Sequence, residues 1–247
     1  MKIVVIGGTG LIGSKLVARL SEAGHQAVPA APSTGVNTLT GEGVHEVLQD
    51  ANVVVDVSNS PSFADDDVMN FFRTSTANLL EAAAAAGVGH YVALSVVGTD
   101  RLPESGYLRA KAAQEELITG SGLPYSLVHA TQFFEFAGGI ADSANVDGEV
   151  RLPDAGVQPI AADEVAPAVG RAAVGAPLNG TVEVAGPEVF GMDQWIRTVL
   201  AARSDPRTVV TDPLARYFGA VLGPESLLPG SGAQLAQTSL SEWLARQ

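Results

Sequence analysis

The chain has 247 residues, with 14 Lys+Arg against 27 Asp+Glu, a formal charge of −13, and no cysteine. Its length suits one α/β domain with a modest extension. The acidity excludes nucleic acid and anionic membrane as natural partners, and the missing thiols exclude disulfides, cysteine nucleophiles and cysteine metal sites.

The first apolar run, Lys2-Ile3-Val4-Val5-Ile6, predicts a buried strand. It leads into Gly7-Gly8-Thr9-Gly10-Leu11-Ile12-Gly13 and a helix over Leu11–Ala23, with apolar spacing at Ile12, Leu16, Val17 and Leu20. A second strand over His25–Ala31 meets a turn at Pro32-Ser33-Thr34-Gly35. Val36–Leu39 reads as a short third strand and Gly41–Gln49 as a short helix. The β-branched run Asn52–Val57 predicts a buried parallel strand, because it does not alternate. A loop follows at Ser58-Asn59-Ser60-Pro61, then acidic residues Asp65–Asp67 where a helix should start, then the helix Val68–Ala86.

Next come a strand over His90–Val97, a helix over Gly106–Thr119 and a strand over Pro124–His129. Strand and helix alternate over about the first 130 residues, which predicts a doubly wound parallel sheet. Beyond Phe134 the rhythm loosens, with helices at Asp163–Val174 and Met192–Ala202, a strand at Thr181–Ala185 and a last helix from near Ser239. Residues 1–134 are therefore expected to form the core, and 135–247 a smaller lobe that covers the site and partly completes the sheet. No segment reads as membrane-spanning or as a signal peptide, and with no cysteine present a cytoplasmic location is expected.

Ligands of such sheets lie outside the carboxyl ends of the strands. The glycine run at the first of these ends suits a diphosphate. Residues without Cβ allow the tight turn and the close approach of backbone, and a bare helix N-terminus offers unpaired N–H groups. Gly7, Thr9, Gly10, Leu11, Ile12 and Gly13 are the expected phosphate contacts. Ser33, Thr34, Ser58 and Asn59 are candidates for the ribose and adenine side. Val97, Thr131, Phe133 and Phe134 are candidates for a substrate pocket.

Tyr107 and Lys111 stand four apart on one helix face, and Ser95 ends the strand before them. Hydride transfer to a carbonyl leaves an alkoxide that needs a proton. A phenol can give it, and a nearby ammonium would pull the phenol pKa down from about 10. Lys111 also suits a ribose hydroxyl, and Ser95 the substrate oxygen. No His and carboxylate cluster has metal-ligand spacing, so no metal is expected.

The glycine turn, Ser95 and Tyr107-Leu108-Arg109-Ala110-Lys111 together resemble the short-chain dehydrogenase/reductase superfamily. The blocks Tyr107–Glu115, Ser126–Phe134, Pro159–Ala166 and Gly186-Pro187-Glu188 are similar to its atypical, NmrA-like branch. The resemblance implies a Rossmann-like fold, NAD(P) in the crevice, and Ser95, Tyr107 and Lys111 as the catalytic set. It implies an NAD(P)H-dependent reductase of a small or medium apolar carbonyl, quinone or imine. A second possibility within the branch is a non-catalytic redox sensor; a nucleotide-sugar epimerase is a third, disfavoured by the short C-terminal lobe. The Asn that many superfamily members place before the Ser has only Asn78 as a possible occupant.

No Asp or Glu stands in Ala30-Ala31-Pro32-Ser33-Thr34, about where an NAD site places its ribose-binding acid. NADP(H) is therefore favoured over NAD(H). A 2′-phosphate there would rely on Ser33, Thr34, backbone N–H groups, and Lys15 or Arg19 from the first helix.

Overall fold

The computed structural model describes residues Met1–Gln247. Its N-terminal half runs β1 (Lys2–Ile6), α1 (Leu11–Glu22), β2 (Gln26–Ala30), α2 (Val44–Leu48), β3 (Val53–Asp56), α3 (Asp65–Ala85), β4 (His90–Val96), α4 (Gly106–Gly120) and β5 (Tyr125–Ala130). The later helices are α5 (Ala137–Ser143), α6 (Ala162–Val174), α7 (Met192–Ala202) and α8 (Leu240–Leu244). Seven strands form one sheet in the order Gln234–Leu235, Gly180–Ala185, β5, β4, β3, β1, β2. Every neighbouring pair is parallel.

The apolar runs explain the layers. Along β1, Ile3 and Val5 pack on one face with α1 and α6, while Val4 and Ile6 pack on the other with α2, α3 and α4. Val53 and Val55 of β3 join the first face and Val54 the second. Both faces are dry, so consecutive residues must all be apolar. Residues after β5 do three things: Gly180–Ala185 and Gln234–Leu235 extend the sheet, α6 covers one of its faces, and α5, α7, α8 and the short strands around them build a separate apolar cluster around Trp195, Phe134 and Trp243.

From β1 the chain crosses to β2 on one side and returns to β3 on the other, so the loops leaving β1 and β3 diverge and open a crevice. Gly7 and Ser58 face each other there. A Cβ on Gly7, which has φ +75°, would come within 2.9 Å of the Ser58 backbone.

The expected third strand at Val36–Leu39 is absent. The segment makes one antiparallel bridge, Asn37 to Glu42. The Asn78 amide of α3 donates to the Thr38 carbonyl at 2.8 Å and also reaches that of Leu39. A side chain thus satisfies groups that a neighbouring strand would have taken, and the sheet ends at β2. The short helix expected over Gly41–Gln49 is confined to Val44–Leu48, and α3 begins at Asp65, three residues earlier than its apolar pattern.

A Cβ on Gly13 would lie 2.1 Å from the Gly7 carbonyl oxygen and 2.7 Å from Gly8 Cα, whereas one on Gly10 meets nothing closer than 3.3 Å. Backbone atoms cannot yield as a flexible side chain can. Gly13→Ala is expected to cost about 1–3 kcal/mol, the usual range for overpacking. Gly10→Ala should cost well under half of that. Paired thermal melts check this, and equal melting temperatures for the two variants would refute the contact.

Candidate active site

At the β1–α1 turn, Gly7 N–H donates to the Ala30 carbonyl at 2.9 Å, and Gly10 N–H to the Gly7 carbonyl at 2.9 Å. No side chain caps α1 and its first turn holds no acid. The first N–H groups of α1 have no intrahelical partner and carry the positive end of the helix dipole. Thr9 and Leu11 are exposed beside them, while Ile12 and Gly13 are buried in the strand–helix contact. A Cβ would strike the surrounding protein at Gly7, Gly8 and Gly13, so the turn can pack this closely only without side chains, and the N–H donors it leaves bare fit a dinucleotide pyrophosphate.

Across the crevice, Ser58 is tied to Asp56, whose Oδ1 accepts from Ser58 N–H at 3.0 Å and Ser58 Oγ at 2.6 Å. Asn59 is exposed, and its Oδ1 accepts from Ser60 N–H at 3.0 Å. Beyond β2, the Thr34 hydroxyl closes its own turn, accepting from Ala31 N–H at 2.9 Å and donating to the Ala31 carbonyl. Ser33 is exposed on that turn. Lys15 is paired with Asp163 at 2.6 Å, so its charge faces α6 and is compensated there.

Ser105 caps α4, its Oγ accepting from Leu108 N–H. This sets Tyr107 in the first helical turn, above the strand ends. The Tyr107 ring lies among Phe63, Phe218 and Phe72, with centroids 5.5, 6.0 and 6.1 Å away. Burial pushes its phenol up to about 12, so the group is a neutral acid.

One turn on, Lys111 is 3% exposed. Its Nζ donates to the Leu94 carbonyl at 2.9 Å and to Gln114 Oε1, and sits 4.4 Å from the Phe72 ring centroid. Burial lowers it to about 8, against the opposing pull of Asp56 and Glu115. Gln114 passes the contact on, donating to Asp56 Oδ2 at 2.9 Å. The ammonium is thus wired to carboxylates beneath the crevice, not to the Tyr107 hydroxyl.

Ser95 is 5% exposed and donates its hydroxyl to Glu115 Oε1. Glu115 lies eight residues past Tyr107, roughly 12 Å along the helix axis. The structure therefore brings Lys111, Gln114 and Asp56 together and joins Ser95 to Glu115, but it does not join Ser95 to Tyr107. Asn78 stands outside this group, spent on the loop at Thr38 and Leu39.

Of the expected pocket residues, Val97 and Phe134 are fully buried, Phe134 against Trp243 in the lobe core at 5.3 Å. The Thr131 hydroxyl donates to the Gln158 carbonyl at 2.6 Å. Phe133 is half-buried and stacks on exposed Phe136 at 5.2 Å. The sequence reading passed over Asp56, Gln114, Glu115 and the rings around Tyr107. Two signals were present: Asp56 is an acid inside the apolar run of β3, and Glu115 continues the four-residue spacing of Tyr107 and Lys111.

Burial raises the Glu115 carboxyl, but the His129 imidazole 3.1 Å away, the Ser95 hydroxyl and the Lys111 charge outweigh it and hold the group below its ordinary value. A depressed folded-state pKa stabilises above the unfolded value of about 4.3 and is lost as pH falls through the folded one. The gap in melting temperature between wild type and Glu115→Gln should therefore be largest near pH 7 and close on acidification to about pH 3. A constant gap would place the cost of the substitution in packing.

A family model described as NAD(P)H-binding matches residues 7–166, a span that starts at the first glycine of the cradle. One relative is the (4-alkanoyl-5-oxo-2,5-dihydrofuran-3-yl)methyl phosphate reductase of Streptomyces griseus, 28% identical over 254 residues that span 96% of this chain and 80% of the relative. Similar solved structures include an NADPH-dependent quinone oxidoreductase from Escherichia coli, with TM-score 0.72 at 17% identity over 99% of this chain and 98% of that one. The Bordetella bronchiseptica enzyme WbmH in complex with NAD+ gives TM-score 0.73 at 16% identity over 99% and 96%. At such identities the structures speak for the fold. The chain belongs to the NAD(P)H-binding family, in the NmrA-like, atypical short-chain dehydrogenase/reductase group that its motifs resemble.

Proposed function

We propose that this protein is an NAD(P)H-dependent reductase of small or medium apolar carbonyl compounds, quinones or imines. The observation that carries this reading is the pairing of a pyrophosphate cradle, closed by Gly7 and Gly13, with a neutral phenol set in aromatic surroundings above the same strand ends. The Streptomyces reductase over nearly the whole chain adds support.

A reduced nicotinamide held at the β1–α1 turn would supply the hydride for the carbonyl carbon. Tyr107 then gives its phenolic proton to the oxygen as the C=O π bond opens. Its raised pKa keeps that proton in place at every working pH. Aromatic walls exclude water from the exchange. Lys111 acts as a positive charge one turn below, with two of its three N–H donors spent on the Leu94 carbonyl and Gln114 and one left for a ribose hydroxyl. Ser95 touches substrate only if it exchanges its bond to Glu115, so in this geometry it is a positioning residue.

NADP(H) remains the favoured cofactor because no acid stands in Ala31–Gly35 to repel a 2′-phosphate. With Lys15 held by Asp163 and the Thr34 hydroxyl closing its own turn, discrimination rests on Ser33, backbone N–H groups and the exposed Arg19 of α1. The relay as it stands, with Ser95 and Lys111 engaged elsewhere, favours a second reading: a sensor that binds the dinucleotide without turnover.

Tyr107→Phe should lower kcat about 10²–10⁴-fold, the usual worth of a positioned proton donor, and leave NADPH affinity unchanged. A panel of quinones, aldehydes and imines with NADPH or NADH measures this. Retained turnover removes Tyr107 from the chemistry; binding without turnover on any substrate leaves the sensor. The pH profile tests Lys111. Its ammonium is lost as pH rises through about 8, so kcat/KM should fall above that value, and Lys111→Met should show a lower, flat profile there.

A further inference from the structure

Gln132 follows β5 directly. Its backbone is pinned on both sides: Thr131 N–H donates to the Val184 carbonyl at 3.1 Å, and the Gln132 carbonyl accepts from Ile160 N–H at 2.8 Å. Its side chain is not. Gln132 is 6% exposed, yet neither its amide oxygen nor its amide nitrogen has a hydrogen-bond partner. An unpaired buried amide costs about 1–3 kcal/mol, and such groups are rare enough to need a reason. The Tyr217 phenol lies beside it, close enough for a weak contact with the amide but outside ordinary hydrogen-bond geometry, and Tyr217 in turn neighbours Tyr107.

A second observation comes from the lobe. The hairpin Arg216–Tyr217 to Ala220–Val221 turns through Phe218 at φ +44° and Gly219 at φ +88°. A bulky ring in the left-handed region is strained, and such strain gathers where a site needs the side chain. Here it lays Phe218 5.4 Å from Phe63 and 6.0 Å from Tyr107. Phe63 is 50% exposed on the loop before α3.

We propose that Phe63, Tyr107 and Phe218 form a slot for a flat, conjugated carbonyl compound, and that Gln132 is the specificity residue that grips its oxygen. In this slot the Gln132 amide N–H and the Tyr107 hydroxyl, each beside Tyr217, would both donate to the carbonyl oxygen, while the rings stack on the unsaturated body. This rests on the reductase reading and narrows its substrate class to aryl and conjugated carbonyls.

The test is calorimetry on protein saturated with NADPH, using 2-naphthamide and its saturated counterpart decahydronaphthalene-2-carboxamide as unreactive probes. The flat amide should bind at least 10-fold more tightly. Gln132→Leu should weaken it at least 10-fold while melting at or above the wild-type temperature, because an unpaired buried amide is removed. Phe218→Asn, which suits the two-residue turn better, should bring the two probes to within about 3-fold. Both variants should keep NADPH affinity within 2-fold. Equal binding of the two probes, unchanged naphthamide affinity in Gln132→Leu, or a lowered melting temperature there would each overturn the slot while leaving the reductase reading intact. Failure of NADPH itself to bind would overturn both.

Discussion

The structure depends on a contact between two stretches of backbone. Gly13, in the first turn of α1, lies so close to Gly7 that a single added carbon would sit 2.1 Å from the Gly7 oxygen. No side-chain attraction is involved, only the absence of side chains. That closeness brings the N-terminus of α1 over the carboxyl end of β1, lets Ile12 and Leu16 reach the sheet, and leaves the first N–H groups pointing into the crevice. The facing wall obeys the same rule, since Ser58 backbone occupies the space that a side chain on Gly7 would need. Fold and ligand cradle are here one constraint.

Beneath the crevice a second system operates. Asp56, Gln114, Lys111, Glu115 and Ser95 are all covered, and each meets a partner from another element or another helical turn. Removing one member would leave a charge or amide buried and unpaired, which costs more than the pair contributes. The layer is therefore rigid. It holds Lys111 in place, where burial lowers its proton affinity against the opposing pull of Asp56 and Glu115, and it leaves Tyr107 above it among the aromatic rings. The proposed proton donor Tyr107 and the Lys111 charge are separated by a helical turn, with Phe72 touching both.

The sheet was legible in the sequence because both its faces are dry. Ile3, Val4, Val5 and Ile6 must all be apolar when alternate residues enter different layers. The glycine turn was legible because only missing side chains allow it. Val36–Leu39 misled, because apolar residues beside a turn suit a strand only if the sheet has an edge left to take them, and Asn78 had already filled that role. The site was less legible than the fold. Helical spacing put Tyr107 and Lys111 on one face, but it could not say that the Lys111 ammonium would turn to a strand carbonyl. Ser95 and Glu115 are 20 residues apart and Asp56 and Gln114 are 58 apart, and no local pattern encodes such pairs. Phe218 carries no signal at all until the hairpin folds it over Tyr107.

Charge gives the last link. A chain with net charge −13 must hold an anionic dinucleotide, and three of its cations near the crevice are already engaged. Lys15 faces Asp163, Arg109 faces Asp65, and Lys111 is buried among carbonyl, amide and ring. Long-range attraction therefore contributes nothing to the encounter, and the binding energy must arise at short range from peptide N–H groups at the start of α1. Such donors are fixed by the helix, need no side-chain ordering, and act only on a phosphate that has already entered the turn. In the proposed NADP(H) site, selectivity for the ribose is left to Ala31–Gly35, which offers hydroxyl and backbone in place of charge.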